Sequence, residues 1–157
     1  MRKLILLYVT IHALTSCTDS EVPVIEASKS NTLIEMRLGE SDYYISLPVN
    51  FKLEEVRGKE GQLGYSIFPT DTLIKMNGFV EIRYGSPIGE TYRGEPGKIF
   101  VESKLVDKKV KWTIYQSKDG TFNGYTDEKE ELNVDVSSKS RMGIDSMISW
   151  ISTLQIK

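Results

Sequence analysis

In one short stretch after another between Leu33 and Val136 the apolar side chains return at every second position, and beyond Ser140 they return at every third and fourth instead. A period of two turns one face of an extended chain to a core and the other to water, whereas a period of 3.6 draws a stripe along a helix. Ile34, Met36 and Leu38 alternate with Glu35 and Arg37, and past a Gly39-Glu40-Ser41-Asp42 turn Tyr43, Ile45 and Leu47 alternate with Tyr44 and Ser46. Two such runs about a short turn predict a hairpin. Pro48-Val49-Asn50-Phe51 is read as the end of that strand, and Gly58 to Gly64 as a glycine-rich turn before a strand over Tyr65-Ser66-Ile67-Phe68-Pro69.

The next strand covers Phe79 to Tyr84, with Val80 and Ile82 on one face, and leads into a segment from Gly85 to Gly97 too rich in glycine and proline for helix or strand. Further strands follow at Ile99 to Val106, Lys109 to Ile114, Thr121 to Tyr125 and Leu132 to Val136. Their expected turns are Asp107-Lys108, Asp119-Gly120 and the charged Asp127-Glu128-Lys129-Glu130. Ile144, Met147, Ile148 and Ile151 then fall at i, i+3, i+4 and i+7, with Ser140 placed to cap the helix they imply and Leu154-Gln155-Ile156 as a closing strand. The expected class is α+β, an antiparallel β-sheet meander covered by a C-terminal helix in one domain over residues 33–157.

Ahead of that domain, Arg2 and Lys3 precede an apolar run from Leu4 to Leu14, the charged and hydrophobic parts of a secretory signal. The run is eleven residues, and a spanning helix needs about twenty. It closes on Leu14-Thr15-Ser16-Cys17, which resembles the bacterial lipobox and contains the chain's one cysteine. The resemblance implies a signal peptide over residues 1–16, lipidation at Cys17, and a lipidated N-terminus and tether over 17–32 of small, polar and charged residues. An aspartate directly after such a cysteine would imply inner-membrane retention. Thr18 stands there instead, with Asp19 next. The expected location is therefore the outer membrane facing the periplasm, and the acidic Thr18-Asp19-Ser20-Glu21 is similar enough to export signals of surface lipoproteins to leave the cell surface open.

Removing residues 1–16 from the 157 leaves 141, enough for one domain with a core, and takes away two cations, leaving 18 basic against 22 acidic side chains. A net charge of −4 argues against a nucleic-acid partner, which asks for a concentrated basic patch. The one histidine, His12, lies within the signal, so the mature chain has neither imidazole nor free thiol. Ser-His-Asp and Cys-His chemistry, zinc sites built on those ligands, haem ligation and disulfides are excluded, and no cofactor or metal is expected.

Tyr43-Tyr44-Ile45-Ser46-Leu47-Pro48-Val49-Asn50-Phe51, Tyr65-Ser66-Ile67-Phe68-Pro69 and Met147-Ile148-Ser149-Trp150-Ile151-Ser152-Thr153-Leu154-Gln155-Ile156 together resemble the Mog1/PsbP-like group. That resemblance implies an antiparallel sheet closed by a helix and a short strand. It also implies a non-enzymatic, protein-binding role, of the kind played by envelope lipoproteins, chaperones and small-GTPase partners. Lipoproteins that neutralise toxins delivered to the periplasm share the size and the anchor, so an immunity protein is the most specific expectation. The alternatives are a housekeeping envelope lipoprotein or chaperone, and an enzyme working with carboxylates alone.

For a partner protein, Tyr92 and Arg93 at the centre of the Gly85–Gly97 loop, with Tyr84 and Glu90 beside them, are the expected contacts, because tyrosine and arginine are over-represented at interface hot spots. The meander face around Lys111, Thr113 and Tyr115 is the second choice. Glu54-Glu55 and Asp127 to Glu131 are the carboxylates an enzyme would use, but neighbouring residues on a strand point to opposite faces, and a charged turn is ordinarily a solvated one. Trp112 is in phase with Val110 and Ile114 and is expected in the core, while Trp150 lies off the helix stripe and is expected outside. Lys108-Lys109-Val110-Lys111 reads as solvated turn charge, with an anionic surface as its sharper use.

The anchor depends on one sulfur atom. Cys17→Ser should abolish incorporation of a radioactive fatty acid and move the protein out of the membrane fraction; label that survives the substitution would show that the lipid is elsewhere.

Overall fold

A computed structural model describes residues 21–30, 32–57, 63–82, 97–126 and 132–157. These residues form ten strands and one helix: β1 Leu33–Arg37, β2 Tyr43–Pro48, β3 Phe51–Arg57, β4 Leu63–Pro69, β5 Met76–Ile82, β6 Ile99–Leu105, β7 Lys108–Gln116, β8 Phe122–Thr126, β9 Leu132–Ser138, α1 Arg141–Ile151 and β10 Gln155–Ile156. The class is α+β, mostly antiparallel sheet with a C-terminal helix, as the change of period predicts.

The strands divide into two sheets where the alternation suggested one. β3-β4-β5-β9-β8-β7-β6 form a seven-stranded sheet, and β1-β2-β10 a three-stranded one, all paired antiparallel. β6 to β9 are the expected meander; its last strand then pairs with β5, Gly78 opposite Val136 and Val80 opposite Val134. Helix α1 lies against β5, β6, β8 and β9 of the large sheet and against β2 of the small one. Its stripe of Ile144, Met147, Ile148 and Ile151 is fully buried with Ile45, Leu47, Ile67, Trp112, Ile114 and Val134. Burying a large aliphatic side chain contributes about 1.5–3 kcal/mol, so the stripe supplies a sum of the same order as the whole stability of an ordinary domain.

Both ends of α1 close as their residues dictate. The Ser140 side chain accepts from the Gly143 backbone N–H at 3.1 Å, satisfying a donor left over in the first turn. At the other end Thr153 Oγ1 donates to the Trp150 carbonyl at 2.6 Å and accepts from the Ser46 N–H at 2.8 Å, tying the helix to β2. Lys139, just before the cap, reaches Asp119 at 3.0 Å and Thr121 at 2.6 Å in the β7–β8 turn. The hydroxyl of Ser117, then Thr121 and Lys139, hold the Asp119 carboxyl far below the usual range.

Four expectations need correction. β2 does end at Pro48 as expected, but no strand was expected after it, and the chain turns at Val49 and Asn50 and begins β3 at Phe51, paired with β4 along its whole length. The β6–β7 turn is Val106-Asp107, not Asp107-Lys108, and both residues take positive φ, +49° and +63°. A left-handed non-glycine residue costs roughly 1–2 kcal/mol, so valine there carried no turn signal in the sequence. At Asp119-Gly120 only Gly120 is left-handed, φ +81°; Gly120 N–H donates to the Ser117 carbonyl and Ser117 N–H to the Thr121 carbonyl, closing a three-residue loop instead of a two-residue one. Trp150, expected outside, is half-buried with its ring 4.9 Å from that of Phe51, edge to face. Trp112 is fully buried as expected, and its Nε1–H donates to Ser103 Oγ at 2.9 Å.

The segment ahead of β1 also touches the domain. Val24 bridges Glu102 of β6 in parallel, Ile25 N–H donates to the Glu102 carbonyl at 2.7 Å, and Ser28 N–H donates to the Ser149 carbonyl at 3.0 Å. Part of the stretch that composition reads as tether therefore lies along β6 and α1.

A chain ending at Ser140 loses α1 and β10 together. It should bind a hydrophobic dye and melt without a cooperative transition; a sharp transition at an undiminished midpoint would show that the stripe on α1 is not part of the core.

Candidate functional site: the open face of the large sheet

One face of the seven-stranded sheet meets α1 and the other does not. Alternation assigns the second face residue by residue: Ser66 on β4, Asn77 and Phe79 on β5, Asp135 and Ser137 on β9, Asn123 and Tyr125 on β8, Thr113 and Tyr115 on β7. The register sets these in two rows across the strands. Ser66, Phe79, Asp135, Tyr125 and Thr113 are successive cross-strand partners, and so, one step along, are Asn77, Ser137, Asn123 and Tyr115. Between the rings lies a trough of about 380 Å³. Gly78, Gly124 and Val136 reach it with their backbone only, because their side-chain positions face the helix side.

The walls are aromatic. Tyr115 and Tyr125 pack edge to face at 6.3 Å on one side. On the other, Phe79 lies over Gly64, whose missing Cβ would fall 2.2 Å from the ring's Cζ, so only glycine lets the ring lie down there. Amides of Asn77 and Asn123, hydroxyls of Ser66 and Ser137 and the Asp135 carboxylate complete the lining. Asn123 is held in place by donating from Nδ2 to Ser117 Oγ and to the Thr121 carbonyl. Such a surface can stack flat groups and exchange hydrogen bonds with a peptide-like chain.

Of the residues expected to carry function, Cys17, Tyr84, Glu90, Tyr92 and Arg93 lie outside the described residues, as do Asp127 to Glu131. The second choice of surface, around Thr113 and Tyr115, borders the trough. Glu54 and Glu55 are both exposed and occupy opposite faces of β3; Glu55 accepts from Arg57 Nε at 2.8 Å, and this bond raises the arginine's pKa. They do not converge on one point. Phe79, Tyr125, Asn77, Asn123 and Asp135 were not singled out from the sequence, although a signal existed: Phe79, Tyr115 and Tyr125 are large aromatic residues on the polar phase of their strands.

Among the described residues no group of three His, Cys, Asp or Glu side chains is placed to hold a metal, and no helix is long and apolar enough to cross a membrane. Comparisons with family models, curated proteins and solved structures found no match to this chain.

The Phe79 wall depends on Gly64, and a double-mutant cycle tests it. Gly64→Ala should lower stability by about 1–3 kcal/mol, the usual cost of overpacking, and the same change made in Phe79→Ala should cost far less. Equal costs in both backgrounds would show that the ring does not rest on the glycine.

Proposed function

We propose that this chain is a lipid-anchored, non-enzymatic protein-binding module of the bacterial cell envelope, held by Cys17 in the outer membrane and facing the periplasm. The observation that carries the reading is the trough on the open sheet face. Three aromatic rings, two amides and two hydroxyls border a shallow surface, which suits recognition of another chain more than a reaction needing converged acid and base groups. Tyrosine is among the residues most enriched at interface hot spots.

The finer fold assignment that goes with this proposal is Mog1/PsbP-like. The stretches that resemble that group fall on β2 running into β3, on β4, and on α1 running into β10. Protein binding is the prevailing role there, which supports the reading. Its most specific form is an immunity lipoprotein that occludes a toxin arriving in the periplasm, supported by the size of the mature chain and the lipobox-like Leu14-Thr15-Ser16-Cys17.

Two variants examine the two surfaces. Asn77 is exposed on the trough wall, so Asn77→Arg should fill the trough while changing stability by no more than about 0.5 kcal/mol. Tyr92→Ala with Arg93→Ala removes the expected loop contacts. Calorimetry on the partner recovered from an envelope extract should find at least one of them weakening the complex by about 2 kcal/mol or more. Full affinity in both would place the interface on neither surface.

A further inference from the structure

The hairpin of β6 and β7 carries a charge opposite to that of the rest of the mature chain. Between Lys98 and Lys111 five lysines stand against Glu102 and Asp107, a local excess of +3 in a mature chain of net −4. Lys104, Lys108, Lys109 and Lys111 are all exposed. Lys104 and Lys109 are direct cross-strand partners, an arrangement of like charges that destabilises a sheet. Glu102 bridges Lys109 and so offsets one of the charges.

Apolar side chains stand exposed beside these lysines. Ile99 and Phe100 open β6 with more than two fifths of their surface in water, Val24 on the same edge is more exposed still, and Lys111 Nζ sits 4.1 Å from the Phe100 ring centre. Guarding a sheet edge explains lysines. It does not explain an exposed phenylalanine and isoleucine among them.

The chain itself indicates what lies next to this edge. Pro23, Val24 and Ile25 are bonded to β6 at Glu102. Only five residues separate Pro23 from Cys17, and at no more than about 3.6 Å per residue that connection spans roughly 20 Å at full stretch. A bilayer holding acyl chains on Cys17 is therefore within a short reach of the β6 edge. Glu21 and Glu26 flank the bonded residues, and the hairpin lysines outnumber them.

We propose that the β6–β7 hairpin is a second membrane contact that seats on an anionic phospholipid surface, Lys104, Lys109 and Lys111 meeting headgroup phosphates and Phe100 entering the interface from one face of the hairpin, with Lys108 and Ile99 contributing at its edge from the other. The proposal rests on the anchor reading, which brings the edge to the bilayer. Phe100, Lys104, Lys109 and Lys111 share the sheet face of Thr113, at its β6 end, and no residue of β6 lines the trough, so the two contacts lie side by side on that face.

The test uses a chain that begins at Thr18, one residue shorter than the mature form, which keeps every described residue and lacks the acyl groups, with vesicles of phosphatidylcholine alone or mixed with phosphatidylglycerol. Binding should require phosphatidylglycerol and weaken steeply with added salt. A lysine near such a surface contributes roughly a fivefold gain in partition, so Lys104→Gln, Lys108→Gln and Lys111→Gln together should lower it on the order of a hundredfold. Phe100→Ser should lower it further, with unchanged circular dichroism. Equal binding to both vesicle types, indifference to salt, or lysine variants that change only self-association would overturn the proposal and leave edge protection as the lysines' role. Fatty-acid labelling at Cys17 reports on the anchor separately: labelled protein whose unacylated form ignores phosphatidylglycerol defeats the hairpin contact alone, whereas unlabelled protein that still binds these vesicles defeats the anchor alone.

Discussion

Everything in this fold depends on the apolar stripe of α1. An eleven-residue helix is too short to persist by itself in water, and a sheet of seven strands with one wet apolar face does not persist either. Each supplies the surface the other lacks. Because Ile144, Met147, Ile148 and Ile151 meet β5, β8 and β9 on one side while the helix also touches β2, the same stripe joins the two sheets. Thr153 then secures the junction by bonding both the helix end and Ser46.

Covering one face of the large sheet leaves the other to be shaped by its own side chains. In a binding surface those side chains must be large enough to make walls and small enough between them to leave a floor. Phe79 on one side and Tyr115 with Tyr125 on the other make the walls, and Gly64 has no side chain so that the first ring can lie flat. The bonds from Asn123 to Ser117 and Thr121 fix an amide at the trough's end, and fixed polar groups cost a partner less ordering on binding. In the proposed role this rigidity is the useful property of an antiparallel sheet.

The two proposals make separate uses of the same sheet. Its β6 edge, along which Val24 bridges Glu102, lies nearest in covalent terms to the cysteine, and the trough on its open face is lined from β4, β5, β7, β8 and β9. The strained Val106-Asp107 turn sits at the tip of this same hairpin. The Val106 N–H donates to the Leu154 carbonyl, which couples the tip to the chain leaving α1.

What could be read from the order of residues was whatever depends on near neighbours. Strand phase follows from alternation, the start of α1 from Ser140 and the 3.6 period, and the burial of Trp112 from its phase with Val110 and Ile114. The signal-like run and the lipobox-like Leu14-Thr15-Ser16-Cys17 are patterns of the same contiguous kind. Tertiary structure alone decided the partition into two sheets, the pairing of β5 with β9, the strand at Phe51, and the meeting of Phe79, Tyr115 and Tyr125 about one trough. Backbone N–H and C=O groups are the same on every residue but proline, so a ladder does not carry its partner's address. Which strands pair is settled by which faces must bury one another at once, and that choice exists only when the whole core is assembled.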